Sequence, residues 1–395
     1  MVWTAVIAAA MRCDALTQEA NRPAVRQLHP LAEVVDSGYL SVGDGHNIYF
    51  EVRGCRKAPV ALWLHGGPGA GCFPNHARFC DPKKWRVTLV DQRGCGKSVP
   101  RGELRANTTP HLVQDLEVLR RRVLGDEPWG CVIGGSWGST LGLAYATEFP
   151  RALRAIVLRG VCTMRAREIR WLFAPSGGAA ALAPTGWKRF ASLAPDAVEE
   201  DDVLRAYYDM LRSDDARTRT RAAFSWQAWE FQANAIAELR PTVIRPNLDP
   251  PSEDDDLFLS PRNRRCGNNP SAAYLSGLEK ETKDHYAVYP QPLLTCHYSI
   301  HKAFLDDDLL DNLDKIRHIP AIAVQGGADF ICPPTTAIDL AAAWPELELR
   351  LVPGGGHSQY DPRIRHELLE ATDKIALRIA NDDDDDDDAT EPLAR

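Results

Sequence analysis

The chain has 395 residues, 44% of them apolar, and a formal charge of −8, enough to bury a large core as one big domain or as a domain with an insertion. Seven of the negative charges form one run, Asp382 to Asp388, which leaves the rest of the chain at −1. A body so near neutrality offers no basic face for nucleic acid or an anionic membrane, no apolar stretch reaches the ~18 residues of a membrane span, and the ten cysteines show neither a C-x-x-C pair nor a Cys/His cluster at zinc spacing, which points to reduced thiols in a cytoplasmic protein.

Residues 1–26 are short of charge and structure signals and read as a leader without fixed structure; the apolar start lacks the basic n-region of a signal peptide, and acids at Asp14 and Glu19 speak against an organellar transit peptide. From Leu28 to Arg53 the pattern predicts a β-hairpin, with Ser37–Val42 and Asn47–Val52 flanking the turn Gly43-Asp44-Gly45-His46. Val60-Ala61-Leu62-Trp63-Leu64 is a continuous apolar run bounded by turn residues, the mark of a strand buried on both faces. It ends in His65-Gly66-Gly67-Pro68-Gly69-Ala70-Gly71, whose glycines leave backbone amides free to face a ligand. No Lys-Ser/Thr follows them, so the loop is not a P-loop. A strand over Trp85–Val90 leads into the charged turn Asp91-Gln92-Arg93-Gly94-Cys95-Gly96-Lys97-Ser98, where Asp91 and Arg93 read as structural. Leu112–Val123 fits an amphipathic helix started by Thr108-Thr109-Pro110.

The next stretch carries the chemistry. The apolar run Trp129–Ile133 precedes Gly134-Gly135-Ser136-Trp137-Gly138, and a small-residue helical run follows. Strand, tight turn and helix in that order are the context of a nucleophile elbow, G-x-S-x-G, with a serine exposed at the tip and glycines that let strand and helix approach. The amides of Trp137, after the nucleophile, and of Gly67 are the expected oxyanion donors. Another strand, Leu153–Leu158, completes a run of alternating elements that predicts a mostly parallel sheet flanked by helices.

After Arg159-Gly160 the pattern becomes helical and rich in Trp and Arg, then loop-like, until strands return at Ile319–Val324. The expected organisation is therefore a core over 27–160 plus 316–380, a mainly helical cap over 161–315 with a Pro/Asn/Asp-rich, loop-like insertion at about 241–292, and an acidic disordered tail over 381–395, which suits a solvated end better than a partner-binding one. The returning strand ends in Gly326-Gly327-Ala328-Asp329, and the last strand, Leu347–Val352, in Pro353-Gly354-Gly355-Gly356-His357-Ser358. Serine, then aspartate, then histidine, each on a loop after a strand, is the triad order of this architecture. His357 would be the general base for Ser136, and Asp329 would hold its tautomer. Asp339 and Asp361 are poorer orienters, the first helical and the second past His357.

His65-Gly66-Gly67-Pro68-Gly69, Asp91 to Ser98 and Gly134-Gly135-Ser136-Trp137-Gly138-Ser139-Thr140 together resemble the proline iminopeptidases, α/β-hydrolase-fold serine peptidases that remove an N-terminal proline. The resemblance runs from about Gln27 to Ile379 and implies no metal or organic cofactor. It matches the triad to Ser136, Asp329 and His357, and implies that the free amino end of a short peptide meets a carboxylate in the motif Trp226-Gln227-Ala228-Trp229-Glu230. A buried ammonium needs an anion and tolerates aromatic neighbours. Three positions depart from the family pattern. Thr295 stands where a second carboxylate is expected, Cys162 where a Phe is, and Leu172 where a Tyr is; Ile331 and Cys332 keep the family's place beside the proline ring. These departures bear on specificity for N-terminal proline and leave the acyl-transfer residues intact. The rivals are a carboxylesterase or amidase of the same fold with no need for a free amine, and a catalytically idle ligand-binding protein. An epoxide or haloalkane hydrolase would need Asp at the elbow.

Overall fold

The computed structural model describes residues 25–235 and 290–390. One eight-stranded sheet organises them: β1 (Val34–Ser41), β2 (Asn47–Gly54), β3 (Val60–Leu64), β4 (Arg86–Asp91), β5 (Cys131–Gly135), β6 (Ile156–Arg159), β7 (Ala321–Gly326) and β8 (Glu348–Val352), in the spatial order β1-β2-β4-β3-β5-β6-β7-β8. The hairpin strands β1 and β2 are antiparallel to each other, and β2 to β4; every later pairing is parallel. The unbroken apolar runs in β3, β5, β6 and β7 are buried along their whole length, as strands covered on both faces must be. The period of two decides which face each side chain serves: Leu62 and Leu64 of β3 join one apolar cluster and Ala61 and Trp63 the other.

Helices α1 (Thr109–Leu124) and α2 (Trp137–Glu148) cover the first face. On α1, Leu112, Leu116 and Leu119 are buried, the spacing of one helical stripe. Between β6 and β7 the chain forms α3 (Ala166–Phe173), α4 (Gly178–Leu182), α5 (Pro184–Ala191), α6 (Pro195–Glu199), α7 (Val203–Leu211), α8 (Ala216–Ala235) and α9 (Pro290–Ile300). They share a separate aromatic cluster in which Phe190 stacks on Tyr207 at 4.2 Å and Phe173 on Trp226 at 4.6 Å. α10 (Pro334–Ala343) and α11 (Pro362–Thr390) close the fold, with Ile364, Leu368, Ala371, Ile375 and Ile379 of α11 filling the second face of the sheet.

The structure shifts three expected boundaries. Residues 1–24 of the leader fall outside the described residues, but Arg26 is fixed, pairing with Glu370 at 2.7 Å and Asp373 at 2.8 Å. The return from cap to core precedes residue 316, because Ala303, Leu309 and Leu313 already pack in the cluster that holds Ile156 and Leu158. The tail predicted to be disordered from 381 is helical to Thr390, as a continuation of α11. Of the insertion at 241–292, only Pro290–Pro292 are described, and they begin α9. No helix among the described residues is long and apolar enough to cross a membrane.

The end of β5 is built around two contacts that only glycine permits. A Cβ on Gly134 would stand 2.1 Å from the Gly138 carbonyl oxygen, and one on Gly138 would stand 2.3 Å from the Leu64 carbonyl oxygen. Backbone cannot yield as a flexible side chain can, so Gly138→Ala should destabilise the protein by roughly 1–3 kcal/mol. Urea titration of the two proteins measures this, and an unchanged midpoint would show that the turn tolerates the extra atom.

Candidate active site

Ser136 sits between β5 and α2 with φ +57° and ψ −126°, a conformation that a non-glycine residue holds only when its surroundings impose it. They do so on both sides: the Ser136 amide donates to the Arg159 carbonyl at 2.8 Å, and the Ser136 carbonyl accepts from the Ser139 amide at 2.8 Å and the Ser139 hydroxyl at 2.6 Å. In the sheet register Gly135 pairs with Arg159, so the turn emerges at the carboxyl edge level with the end of β6. The glycine loop after β3 closes on it from the other side, with space for a Cβ on Gly66 only 3.2 Å from the Ser136 Cβ.

That loop is braced by buried polar groups. The Gln92 amide donates to His65 Nε2 at 3.1 Å, so the neutral ring carries its proton on Nδ1 and donates it to the Gly66 carbonyl at 2.8 Å. Burial holds the His65 ring below its usual pKa. The Gln92 side chain bridges further, donating to the His65 carbonyl at 3.1 Å and accepting from the Trp137 indole at 2.8 Å. Asp91 and Arg93 are structural here. Asp91 accepts from the amides of Cys72 and Lys97 at 2.6 and 2.7 Å, and Arg93 makes a two-pronged pair with Asp115 at 2.7 and 2.8 Å.

His357 and Asp329 meet as the sequence order suggests. His357 Nδ1 lies 2.8 Å from Asp329 Oδ2. Asp329 is buried and held by donors of its own, the amides of Ile331 at 3.0 Å and Cys332 at 2.8 Å on Oδ1 and the Gln325 amide at 3.3 Å on Oδ2. The pairing occupies Nδ1 and leaves Nε2 to other partners. Among the described residues its neighbour is the Arg159 guanidinium at 3.3 Å, and no hydrogen bond joins it to Ser136 Oγ, although Ser136 and His357 line the same cavity.

Arg159 carried no role in the sequence reading. It is buried, donates to the His357 carbonyl at 2.9 Å and to Gln359 at 3.3 Å, and leaves Nε without a partner. A charged residue closing the apolar run Ile156-Val157-Leu158 was the available signal, because a buried cation needs a reason to be there. Asp339 and Asp361 are engaged elsewhere, Asp339 with Arg165 at 3.1 Å and Asp361 with the Gly356 amide at 3.2 Å.

The cavity measures about 370 Å³ and lies under the cap, in the size range of small-molecule pockets. Gly67, Ser136, Trp137 and His357 are among its lining residues, as are Cys162, Leu172, Glu230, Ile331 and Cys332. Trp226, expected to bind substrate, is not among the lining residues. It is fully buried in the aromatic cluster of the cap, and its indole donates to Glu230 Oε1 at 2.9 Å. Its spacing from Glu230, one helical turn on α8, puts both on one face but sends the larger ring into the cap core.

Glu230 also accepts from Gln291 of α9 at 3.3 Å, and no described cation pairs with it. Burial dominates and pushes its carboxyl up to about 7. Thr295, at the second expected carboxylate position, donates its hydroxyl to the Pro68 carbonyl at 3.0 Å. It ties the cap to the glycine loop, where a Cβ on Gly69 would stand 2.9 Å from the Gln291 Cα. Glu168 is another carboxylate on the lining, but the Thr163 amide, the Thr163 hydroxyl and Arg165 occupy it at 2.7–2.8 Å.

The comparisons with known proteins bear on the family and the fold. Residues 59–363 match the α/β hydrolase fold family. The chain is 39% identical over 352 residues to a proline iminopeptidase of Arabidopsis thaliana, covering 89% of this chain and 82% of that one. It is 36% identical over 353 residues to a proline iminopeptidase of Xylella fastidiosa, covering 89% of this chain and all of that one. The chain belongs to the proline iminopeptidase family. Among solved structures, a proline iminopeptidase of Mycobacterium smegmatis superposes with a TM-score of 0.51 at 19% identity, covering 87% of this chain and 99% of that one, which speaks to the shared fold.

The raised carboxyl of Glu230 has a sign that can be checked. Its folded value of about 7 lies above the 4.5 of an unfolded chain, so the folded state binds the extra proton between those values. Stability from this group is greatest below about pH 4.5, falls as pH rises through 7, and stays lower above it. Glu230→Gln should therefore gain stability over the parent protein at pH 8 relative to pH 5, by roughly 2–3 kcal/mol. Denaturant titrations of both proteins at the two pH values measure the gap; the same gap at both would place the Glu230 carboxyl at an ordinary pKa.

Proposed function

We propose that the protein is a cytoplasmic serine aminopeptidase that releases proline from the free amino end of short peptides through an acyl-enzyme. The observation that carries this reading is the pairing, in one cavity, of a serine on a strained turn beside a His–Asp pair with a buried carboxylate that has no cationic partner among the described residues. The family relatives named proline iminopeptidase support it, as do eight described cysteines that are all free thiols.

In this reading Ser136 Oγ attacks the carbonyl of the first residue while His357 Nε2 takes its proton. Asp329 keeps the other ring nitrogen protonated and stabilises the imidazolium. The backbone amides of Gly67 and Trp137 receive the oxyanion. His357 then protonates the leaving amine, and water repeats the sequence on the ester. For Nε2 to take the Ser136 proton it must leave the Arg159 guanidinium, a reorientation of the kind that bound substrate brings about. Glu230 pairs with the ammonium of the substrate, which restores the ionised carboxylate that burial alone disfavours. Because one carboxylate is open where the family pattern has two, the free-amine requirement rests on Glu230.

Hydrolysis of prolyl, alanyl and N-acetyl-prolyl arylamides beside a simple aryl ester tests the reading. Prolyl cleavage should dominate and N-acetylation should abolish it. Ser136→Ala should remove at least about 10⁴-fold of the rate. Glu230→Gln should raise KM for the prolyl substrate, by roughly 10–100-fold for the loss of one charge-assisted contact, while ester cleavage changes little. Equal turnover of the acetylated substrate would instead identify an amidase or esterase, a reading favoured by the occupied Thr295 and Glu168. Absence of any Ser136-dependent turnover, together with no fluorophosphonate labelling, would leave a ligand-binding protein.

A further inference from the structure

Arg159 closes β6 and lies buried on the wall of the cavity that holds Ser136 and His357. Its guanidinium packs against the backbone that precedes the serine turn, since a Cβ on Gly135 would stand 2.8 Å from Arg159 Cζ. Its hydrogen-bond partners among the described residues are the His357 carbonyl at 2.9 Å, His357 Nε2 at 3.3 Å and Gln359 at 3.3 Å. None of these is an acid, and Nε has no partner of any kind. Nη1 makes both contacts to His357. The edge formed by Nε and Nη2 meets only Gln359. This is an edge that a carboxylate grips with two parallel bonds, and a buried cation without such a partner is costly.

We propose that Arg159 binds the free carboxylate of a dipeptide and so selects prolyl dipeptides over longer peptides, a selectivity that rests on the aminopeptidase reading above. His357 sets the position. In that reaction Nε2 hands its proton to the leaving amine, so the amine nitrogen comes within ~3 Å of Nε2. The carboxyl carbon of the same residue is two covalent bonds away, about 2.5 Å from that nitrogen. In a dipeptide this carbon carries a carboxylate, delivered beside a guanidinium that stands 3.3 Å from Nε2. In a longer peptide it is a neutral amide, with one carbonyl oxygen to offer and no charge. A carboxylate on Nε and Nη2 takes the place of Gln359 and satisfies the nitrogen that is otherwise orphaned. Glu230 on the cap and Arg159 in the core then hold the two ends of one zwitterion.

The full-length protein is given L-prolyl-L-alanine or L-prolyl-L-alanine amide, and released proline is scored by mass spectrometry. The parent should cleave the acid with kcat/KM roughly 10–100-fold above the amide. Arg159→Gln should bring that ratio to about 1, and Arg159→Lys, which keeps the charge without the fork, should leave it in between. Each ratio is taken within one protein, so a variant that folds poorly loses both rates and not the ratio. A second readout needs no peptide. Propionate should slow fluorophosphonate labelling of Ser136 in the parent, propionamide should not, and Arg159→Gln should abolish the difference. Equal cleavage of acid and amide by the parent, a ratio unchanged in Arg159→Gln, or equal protection by propionate and propionamide would each overturn the proposal, and prolyl cleavage alongside any of them would leave the peptidase reading standing. Arg159-dependent protection by propionate without prolyl cleavage would support the carboxylate site and count against the peptidase reading alone.

Discussion

The structure depends on how closely three backbone segments approach at the carboxyl edge of the sheet. The end of β3, the turn after β5 and the start of α2 meet at distances that exclude a Cβ on Gly134 or Gly138. This contact holds Ser136 in the left-handed region, which an isolated chain avoids at a cost of about 1–3 kcal/mol. The strain is distributed into the sheet through the Ser136 amide and the Arg159 carbonyl, so β6 is as much a part of the support of Ser136 as β5.

Buried amides carry much of the remaining alignment. Gln92 joins the glycine loop, the β4 end and the Trp137 indole. Gln325 joins the loops after β6 and β7 and reaches Asp329. Gln92 satisfies the His65 carbonyl and the Trp137 indole, and Gln325 the Val161 amide and the Cys332 carbonyl; such fully engaged groups rigidify a site. The edge of the sheet is thus a network in which the serine, the aspartate and both cavity cysteines are placed relative to one another by neutral hydrogen bonds.

Charge is handled differently. Among the described residues, two ionisable side chains on the cavity lack a full complement of partners: Glu230, held by an indole and an amide, and Arg159, with one orphaned nitrogen. Both pay a desolvation cost in the absence of a ligand. Glu168 and Thr295 show the contrast, since internal donors or acceptors already satisfy them. Among the described residues Glu230 is a lining carboxylate with no cationic partner, and an indole from the cap's aromatic cluster holds it. Trp226 illustrates the division, holding the carboxylate from behind without forming the wall.

By itself the sequence determined the elements that are set locally. Unbroken apolar runs marked β3, β5, β6 and β7; turn chemistry marked the hairpin; glycine spacing marked the serine turn; and chain order picked Asp329 over Asp339 and Asp361. These follow from backbone sterics and from the burial of both sheet faces, which leave their print in consecutive residues. The tertiary structure alone decided which side chains face the cavity and which groups are left with open valences. Trp226 and Glu230 share a helix face, yet one turns into the cap core and the other into the cavity. Arg159 meets His357 across a separation of 198 residues in the chain. Such meetings depend on strand order and on what is packed behind each side chain, which no local pattern encodes.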